Sequence, residues 1–321
     1  MNKENFSLTY FVSRMLFSGS IYSIMFNYSE NDALIACIFG TIFGLFIIFL
    51  INKMNLNNPF FKIILFLLYL YFIIISFVTF ETYTDSFLLT NTPKIITVIP
   101  ALAIGIYASF KSINTLKRVS FIFFILSISS FTLIIIMLSS YLNIGNVLPL
   151  FSHSKINILQ SAFTFGVLSS TPNILLKEEN ISLKKHMLYY FLTSILNLII
   201  CYYILSVLTP NVAKIYSFPE YMVLKRIKIF DFIENVENLS VLVYYFDYFF
   251  LITLSFKRIY NLIKNKTAYL LIITSTVLLT TITFVKDYSF ILFLYHYSTY
   301  ILFVFLLILS LSIFKSNEKY K

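Results

Sequence analysis

The sequence predicts an all-α polytopic membrane protein that crosses the bilayer about ten times as a single domain. Hydrophobic residues make up 59% of its 321 positions and charged residues only 12%, whereas soluble domains carry about 25% charged residues. The mean hydropathy is +0.86, and the apolar runs approach the roughly 20 residues that a helix needs to span a bilayer. So few polar groups cannot cover a water-facing surface, which excludes most soluble enzyme folds and disordered proteins.

The predicted crossings are ten apolar segments separated by polar loops. The first is too long for a cleavable signal peptide, contains Arg14 and lacks an A-x-A site, so we expect it to remain as a membrane helix. The segments are approximately 6–27, 32–51, 63–85, 94–110, 119–141, 158–176, 187–208, 239–256, 268–285 and 289–313.

Basic residues set the expected orientation. With a cytoplasmic N-terminus, most of the 24 Lys and Arg residues fall in cytoplasmic loops, as the positive-inside rule requires. Both termini are then cytoplasmic, and the formal charge of +10 reflects these loops rather than nucleic-acid binding. In the longest outer loop, 209–238, we expect Pro219 to Glu237 to lie on the membrane surface as an amphipathic segment. Cys37 and Cys201 occur in apolar runs and are expected to be buried thiols.

Two of the segments contain residues that interrupt a membrane helix. The first carries Ser18-Gly19-Ser20, and the sixth carries Phe165-Gly166 followed by Ser169-Ser170-Thr171-Pro172. Because four segments separate them, they occupy equivalent positions in two five-helix halves, about 6–141 and 158–313. This pattern is typical of an inverted-repeat transporter whose ligand binds at broken helices near the bilayer midplane. For the glycines taken alone, close helix packing is the simpler explanation.

Four stretches give the chain a resemblance to a known family. They are Asn31-Asp32-Ala33-Leu34-Ile35-Ala36 with Gly40 and Gly44, then Phe87 to Pro93, then Asn146 to Leu150, and finally Phe218-Pro219, Arg226-Ile227 and Phe230 to Glu237. In this order they resemble the spore germination permeases, a branch of the amino acid–polyamine–organocation transporters. The resemblance implies a LeuT-like fold over 1–321, with two inverted five-helix repeats and helices 1 and 6 interrupted.

The resemblance also implies a function. Such a protein would bind a small nutrient, expected to be an amino acid, as the permease-like subunit of a spore germinant receptor. It would act with other receptor subunits in the cell membrane or the spore inner membrane. The ligand carboxylate would bind N–H groups where the broken helices resume. The expected substrate-binding residues are Ser18, Gly19, Ser20, Phe165, Gly166, Ser169 and Thr171.

Charged residues inside the apolar segments are further candidates, because a charge at membrane depth is costly unless it meets a partner. In the fold that the resemblance implies, the first and eighth helices are neighbours, and many relatives bind sodium between them. We therefore expect Arg14 to pair with Asp247 and to replace that ion. Alternatively, Arg14 snorkels to the cytoplasmic face and Asp247 meets a backbone or tyrosine donor. Glu81 is expected at a solvated helix end or, alternatively, in the lining of an outer vestibule.

The outer loop carries a patterned acidic run. Asp231, Glu234 and Glu237 recur at intervals that place them roughly on one helix face. With Pro219 and Arg226, they are expected to form a gating or partner-contact loop.

Motifs of soluble enzymes do not occur in the sequence. It contains no HExxH, GxSxG, Walker loop or Cys/His cluster, so no catalytic residue, metal or cofactor is predicted. Two alternatives to the receptor subunit stay open: an autonomous amino acid permease and a membrane-embedded enzyme.

Overall fold

The computed structural model describes residues 3–14, 21–89, 92–179, 181–225, 238–283 and 288–317. Within these ranges the chain is mainly α-helical and contains no strand. The α-helices are α1 (Lys3–Arg14), α2 (Ile21–Ser29), α3 (Ala33–Lys53), α4 (Pro59–Phe87), α5 (Lys94–Ser109), α6 (Ile113–Leu138), α7 (Lys155–Ser170), α8 (Leu183–Leu208), α9 (Pro210–Ala213), α10 (Pro219–Leu224), α11 (Asn238–Ile263), α12 (Lys266–Thr283) and α13 (Tyr288–Asn317). Short 3-10 helices occupy Glu30–Asp32, Ser139–Tyr141, Ile144–Val147 and Thr171–Leu176.

The predicted segments correspond closely to these helices. The first matches α1 and α2 together, and the sixth matches α7 followed by the 3-10 helix Thr171–Leu176. Pro172 explains the change in the sixth segment, because proline lacks an N–H donor and its ring clashes with the preceding turn. Ser18-Gly19-Ser20 lies between α1 and α2, outside the described residues.

Five helices in the described ranges are long and apolar enough to cross a membrane. They are Ile21–Lys53, Pro59–Phe87, Ile113–Tyr141, Leu183–Leu208 and His296–Ile313, while Lys94–Ser109 and Lys266–Ile282 are apolar but shorter. The exposed face of α3 is apolar as well, since Ile38, Phe39 and Ile42 are each more than half exposed. The protein is therefore an integral membrane protein. The arrangement of ten crossings in two inverted repeats stays a prediction.

Two glycines set the closest contact between helices α3 and α7. A Cβ added to Gly166 would stand 2.8 Å from the carbonyl oxygen of Gly40, and a Cβ added to Gly40 would stand 2.6 Å from the carbonyl oxygen of Ala162. No side chain fits at such distances, so these glycines let the two helices approach closely. Packing thus accounts for Gly166, and its contact with a ligand stays a prediction.

Helix α1 lies in the interior of the protein. It packs against α6, α7, α8, α11 and the 3-10 helix Thr171–Leu176. Its residues from Phe6 to Arg14 are all buried. This placement brings the last residue of α1, Arg14, into the core beside the interrupted sixth segment. Cys37 and Cys201 are free and buried, as predicted.

The described part of the outer connecting segment packs against other helices of the protein. α10 packs against α8 and α11, and it buries Pro219, Tyr221, Val223 and Leu224. Residues 219–224 thus bury their apolar side chains against these helices, and the position of the segment at the membrane surface stays a prediction. Residues 226–237 lie outside the described residues.

Candidate functional site

The first component of the site is a buried ion pair between α1 and α11. Nη2 of Arg14 lies 3.2 Å and Nε lies 3.3 Å from Oδ2 of Asp247. The Arg14 side chain is 2% exposed and the Asp247 side chain is fully buried. The alternative in which Arg14 snorkels to the membrane surface is therefore wrong. Removal of one partner from a buried pair of this kind strongly destabilises the folded protein, because the other charge stays buried without its counter-ion.

Aromatic rings surround the guanidinium group of Arg14. Its Cζ atom lies 4.5 Å from the ring centre of Phe131 and 5.7 Å from that of Tyr10. Such cation–π contacts stabilise a cation that has left water. The structure thus brings together the two charged residues that the sequence singled out, and no observation tests the predicted replacement of sodium.

The second component is the interruption of the sixth segment after Ser170. In a 3-10 helix, each carbonyl oxygen accepts a hydrogen bond from the N–H group three residues later. For Ser169 that residue is Pro172, which has no N–H group to donate. The side chain of Asn173 supplies the missing donor. Its Nδ2 lies 3.3 Å from the carbonyl oxygen of Ser169 and 3.1 Å from that of Ser170.

Of the predicted substrate-binding residues in this segment, Ser169 and Thr171 lie at the interruption, while Phe165 and Gly166 lie about one turn earlier within the unbroken part of α7. Phe165, Ser169 and Thr171 are fully buried. The Ser169 hydroxyl donates to the carbonyl oxygen of Phe165 at 2.8 Å and lies 2.7 Å from the hydroxyl of Tyr190. The Thr171 hydroxyl donates to the carbonyl oxygen of Val167 at 2.6 Å. Both hydroxyls therefore already have hydrogen-bond partners, and the binding of a ligand by these residues stays a prediction.

A chain of polar contacts extends from the interruption to α1, α3 and α8. Asn173 Nδ2 donates to Ser13 Oγ at 3.0 Å, and His186 Nε2 donates to Asn173 Oδ1 at 3.0 Å. His186 Nδ1 in turn accepts a hydrogen bond from Asn52 Nδ2 at 3.1 Å. These roles require the neutral His186 tautomer that carries its proton on Nε2. The chain connects four helical elements through uncharged groups.

The other end of the 3-10 helix is held by Arg258 of α11. Its Nε donates to the carbonyl oxygen of Leu175 at 2.7 Å, its Nη1 binds Glu178, and its Nη2 lies 3.2 Å from Glu179. Lys117 of α6 also lies 2.7 Å from Glu179. Arg258 lies in the last turns of α11 and is 3% exposed.

The third component is an acid that the sequence analysis did not single out. Glu220 of α10 accepts a hydrogen bond on Oε2 from the hydroxyl of Tyr244 at 2.5 Å, and its Oε1 is buried without a hydrogen-bond partner. Burial raises the pKa of Glu220 to about 7, although nearby Arg14 and the Tyr244 hydroxyl favour the ionised form. A carboxyl group with this pKa changes charge near neutral pH.

Sequence signals for the missed residues were weak but present. Asn173 follows a proline inside an apolar run, and Glu220 is an isolated acid between aromatic and aliphatic residues. Glu81 was predicted at a solvated helix end, which is wrong: it is 1% exposed, and its Oε1 accepts a hydrogen bond from Thr281 of α12 at 3.0 Å. The vestibule alternative for Glu81 stays a prediction.

Several predicted site residues lie outside the described residues. They are Ser18, Gly19 and Ser20 of the first interruption and Arg226, Asp231, Glu234 and Glu237 of the outer loop. Pro219, the remaining residue of that loop prediction, is buried at the start of α10.

Comparison with known proteins identifies the family. The family model described as "Spore germination protein" matches residues 6–291. No protein with a curated description matches the chain. The matched family is a transporter-like membrane family rather than a family of enzymes. Since the match covers most of the chain, this protein belongs to the spore germination permease family.

Proposed function

We propose that this protein is the nutrient-binding, permease-like subunit of a spore germinant receptor and that its ligand is an amino acid. It acts in the cell membrane or spore inner membrane together with other receptor subunits. The carboxylate of the ligand binds at the start of α2, where the first segment resumes, and the interrupted sixth segment forms the opposite wall of the site.

The observation that carries this proposal is the interruption at Ser170, in direct contact with α1. A helix start offers unpaired N–H groups and a partial positive charge, both of which favour a carboxylate. The chain at the sixth interruption is buried against α1, α3 and α7, so a ligand bound there is shielded from water. The Arg14–Asp247 pair occupies the same region, and it supplies a fixed charge pair that needs no soluble ion.

Ligand binding is tested by the thermal stability of the purified full chain in lipid nanodiscs. A ligand at about 100 times its dissociation constant stabilises the folded state by about 2.7 kcal/mol, so screening the common amino acids should reveal a rise in melting temperature. The double variant Ser169→Ala/Thr171→Val should need a higher concentration of the same amino acid. If no amino acid stabilises the wild-type protein, the proposed ligand class is wrong.

Thr164→Val is the matched control for this double variant. Thr164 lies on the same helix, and its hydroxyl donates to the carbonyl oxygen of Gln160 at 2.9 Å, so the same kind of backbone bond is lost away from the interruption. Its ligand response should equal that of the wild type. Uptake by proteoliposomes that contain this chain alone would favour the autonomous permease, whereas binding without uptake favours the receptor subunit.

A further inference from the structure

Glu220 is a partly buried acid with one enclosed carboxylate oxygen whose bonding is incomplete. Tyr244 satisfies Oε2, while Oε1 has no hydrogen-bond partner and no solvent exposure. A carboxylate oxygen in such a position is stabilised only when a donor reaches it. The unpartnered Oε1 of Glu220, on α10, is therefore a candidate for contact with a ligand.

An apolar cleft lies beside the carboxyl group of Glu220. This Glu220 cleft has a volume of about 60 Å³ and lies between α6, α8 and α10. One water-sized group occupies about 10–15 Å³ on this measure, so the cleft holds a group of about four to six non-hydrogen atoms. Its lining includes Phe131, Ile134, Ile200, Ile204, Val223 and Leu224. A small aliphatic group fits this space, but an aromatic side chain does not.

The charges around the cleft favour a cation. Arg14 is paired with Asp247 at 3.2 Å, so its positive charge is already balanced. When Glu220 is ionised, these three residues together carry one net negative charge. Arg14 and Asp247 both interact electrostatically with Glu220, so a cation at Oε1 would complete the balance of charges.

Glu220 is joined to a group of aromatic rings through Tyr244, whose hydroxyl donates to Oε2. The ring centres of Tyr83 and Tyr244 are 4.5 Å apart, and that of Tyr221 lies 5.9 Å from Tyr83. Ammonium groups bind well to a carboxylate combined with aromatic faces, because the rings attract the cation without competing for its protons.

We propose that Glu220 binds the primary ammonium group of a small aliphatic ligand whose carbon chain occupies the Glu220 cleft. The assignment deepens the proposed function, on which it rests, because the ammonium group would belong to the amino acid. Glu220 and the cleft then select for ligand size and charge, while the interrupted helices bind the carboxylate.

The test compares propylamine, propionate and alanine as ligands of the full chain in nanodiscs, with melting temperature as the readout. Wild-type protein should be stabilised by propylamine and alanine. Glu220→Gln keeps the shape of the side chain and removes its charge, so it should raise the concentration of both amines required by about tenfold or more. The response to propionate should be unchanged. Equal amine responses in the wild type and Glu220→Gln would overturn the assignment, as would a wild type that responds to neither amine.

Glu81→Gln is the matched control, because Glu81 also accepts from a single hydroxyl and also has one buried carboxylate oxygen without a partner. Its amine responses should match the wild type, and an equal loss in this variant would overturn a specific role for Glu220. Ile200→Phe narrows the cleft while leaving Glu220 in place. This variant therefore still tests the proposal if Glu220→Gln does not fold. It should weaken propylamine binding more than methylamine binding, and an unchanged preference would count against the cleft.

The outcomes also separate this inference from the proposed function. Stabilisation by propylamine that depends on Glu220, without stabilisation by any amino acid, would support the ammonium site and refute the amino acid ligand. Stabilisation by alanine that depends on Ser169 and Thr171 but not on Glu220 would support the proposed function and overturn the ammonium site.

Discussion

At the scale of single residues, two arginines of this protein lie buried in specific ion pairs. Arg14 contacts Asp247 of another helix, and Arg258 binds Glu178 and Glu179. Arginine suits such positions because its guanidinium keeps its proton and offers several donors in a fixed geometry. These contacts join helices that are far apart in the sequence, so each pair contributes to the arrangement of helices as well as to the local charge balance.

The Arg14–Asp247 pair should be essential for folding. We expect Asp247→Asn to destabilise the protein by about 3–5 kcal/mol, because Arg14 stays buried without its carboxylate partner. The measurements are the yield of monodisperse protein and its melting temperature. Asp85→Asn is the control, since the Asp85–Lys94 pair is about one-third exposed and exposed pairs contribute about 1 kcal/mol or less. Exchanging the charges with Arg14→Asp/Asp247→Arg should recover part of the loss, and similar stabilities of Asp247→Asn and Asp85→Asn would refute the pair's importance.

Glu220 should make stability depend on pH. Its pKa is raised from 4.5 to about 7 in the folded protein, so between these values the folded state holds a proton that the unfolded state releases. Stability therefore falls as pH rises from about 4.5 to 7 and then levels off. The groups that act on Glu220 are Tyr244 and Asp247 of α11 and Arg14 of α1. The measurement is the melting temperature as a function of pH. Between pH 4.5 and 7 it should fall less in Glu220→Gln than in the wild type, and identical pH profiles for the wild type and the variant would contradict the prediction.

At the scale of elements, the interruption of the sixth segment combines a local cause with a tertiary one. Pro172 ends α7 because it cannot donate a backbone hydrogen bond. The 3-10 helix that follows is buried on all sides, which is tolerated in a membrane protein only if the freed backbone groups find partners. Asn173 at one end and Arg258 at the other supply those partners.

Asn173 should therefore stabilise the interrupted segment. Asn173→Leu keeps the approximate size but removes the donors to Ser169 and Ser170 and the acceptor for His186, and each buried group left without a partner costs about 1–3 kcal/mol. We expect a lower melting temperature and faster amide exchange across Thr171–Leu176. Thr164→Val, which loses only a bond within its own helix, should change stability little. Unchanged exchange in Asn173→Leu would show that the segment does not depend on this side chain.

At the scale of the whole molecule, the family match and the apolar exposed surface establish an integral membrane protein, and the charge distribution predicts its orientation. The burial of α1 and α10 places the candidate site between helices from both halves of the sequence.

The predicted orientation can be tested by cysteine labelling in intact cells. Cys37 and Cys201 are buried, so the natural protein should react little with a membrane-impermeant maleimide. Ile215→Cys, at an outer position that is 76% exposed, should be labelled from outside. Lys53→Cys and Lys184→Cys, at exposed positions predicted to be cytoplasmic, should react only after the membrane is permeabilised. Labelling of Lys53→Cys from outside would reverse the predicted orientation.

The sequence by itself determined the class of the protein, the approximate helix positions, the interruption at Pro172 and the two charges that pair in the core. These properties depend on local composition: an apolar run of sufficient length forms a helix in lipid, and a proline weakens a helix by removing a backbone donor. It ends α7 near Pro172, whereas α5 continues through Pro100. The tertiary structure alone decided which side chains are buried. Glu81 and Arg258 are at positions where the local sequence suggests solvent, yet neighbouring helices cover them, and Oε1 of Glu220 is enclosed in the same way. Burial depends on which helices pack together, and that information is not contained in any single segment.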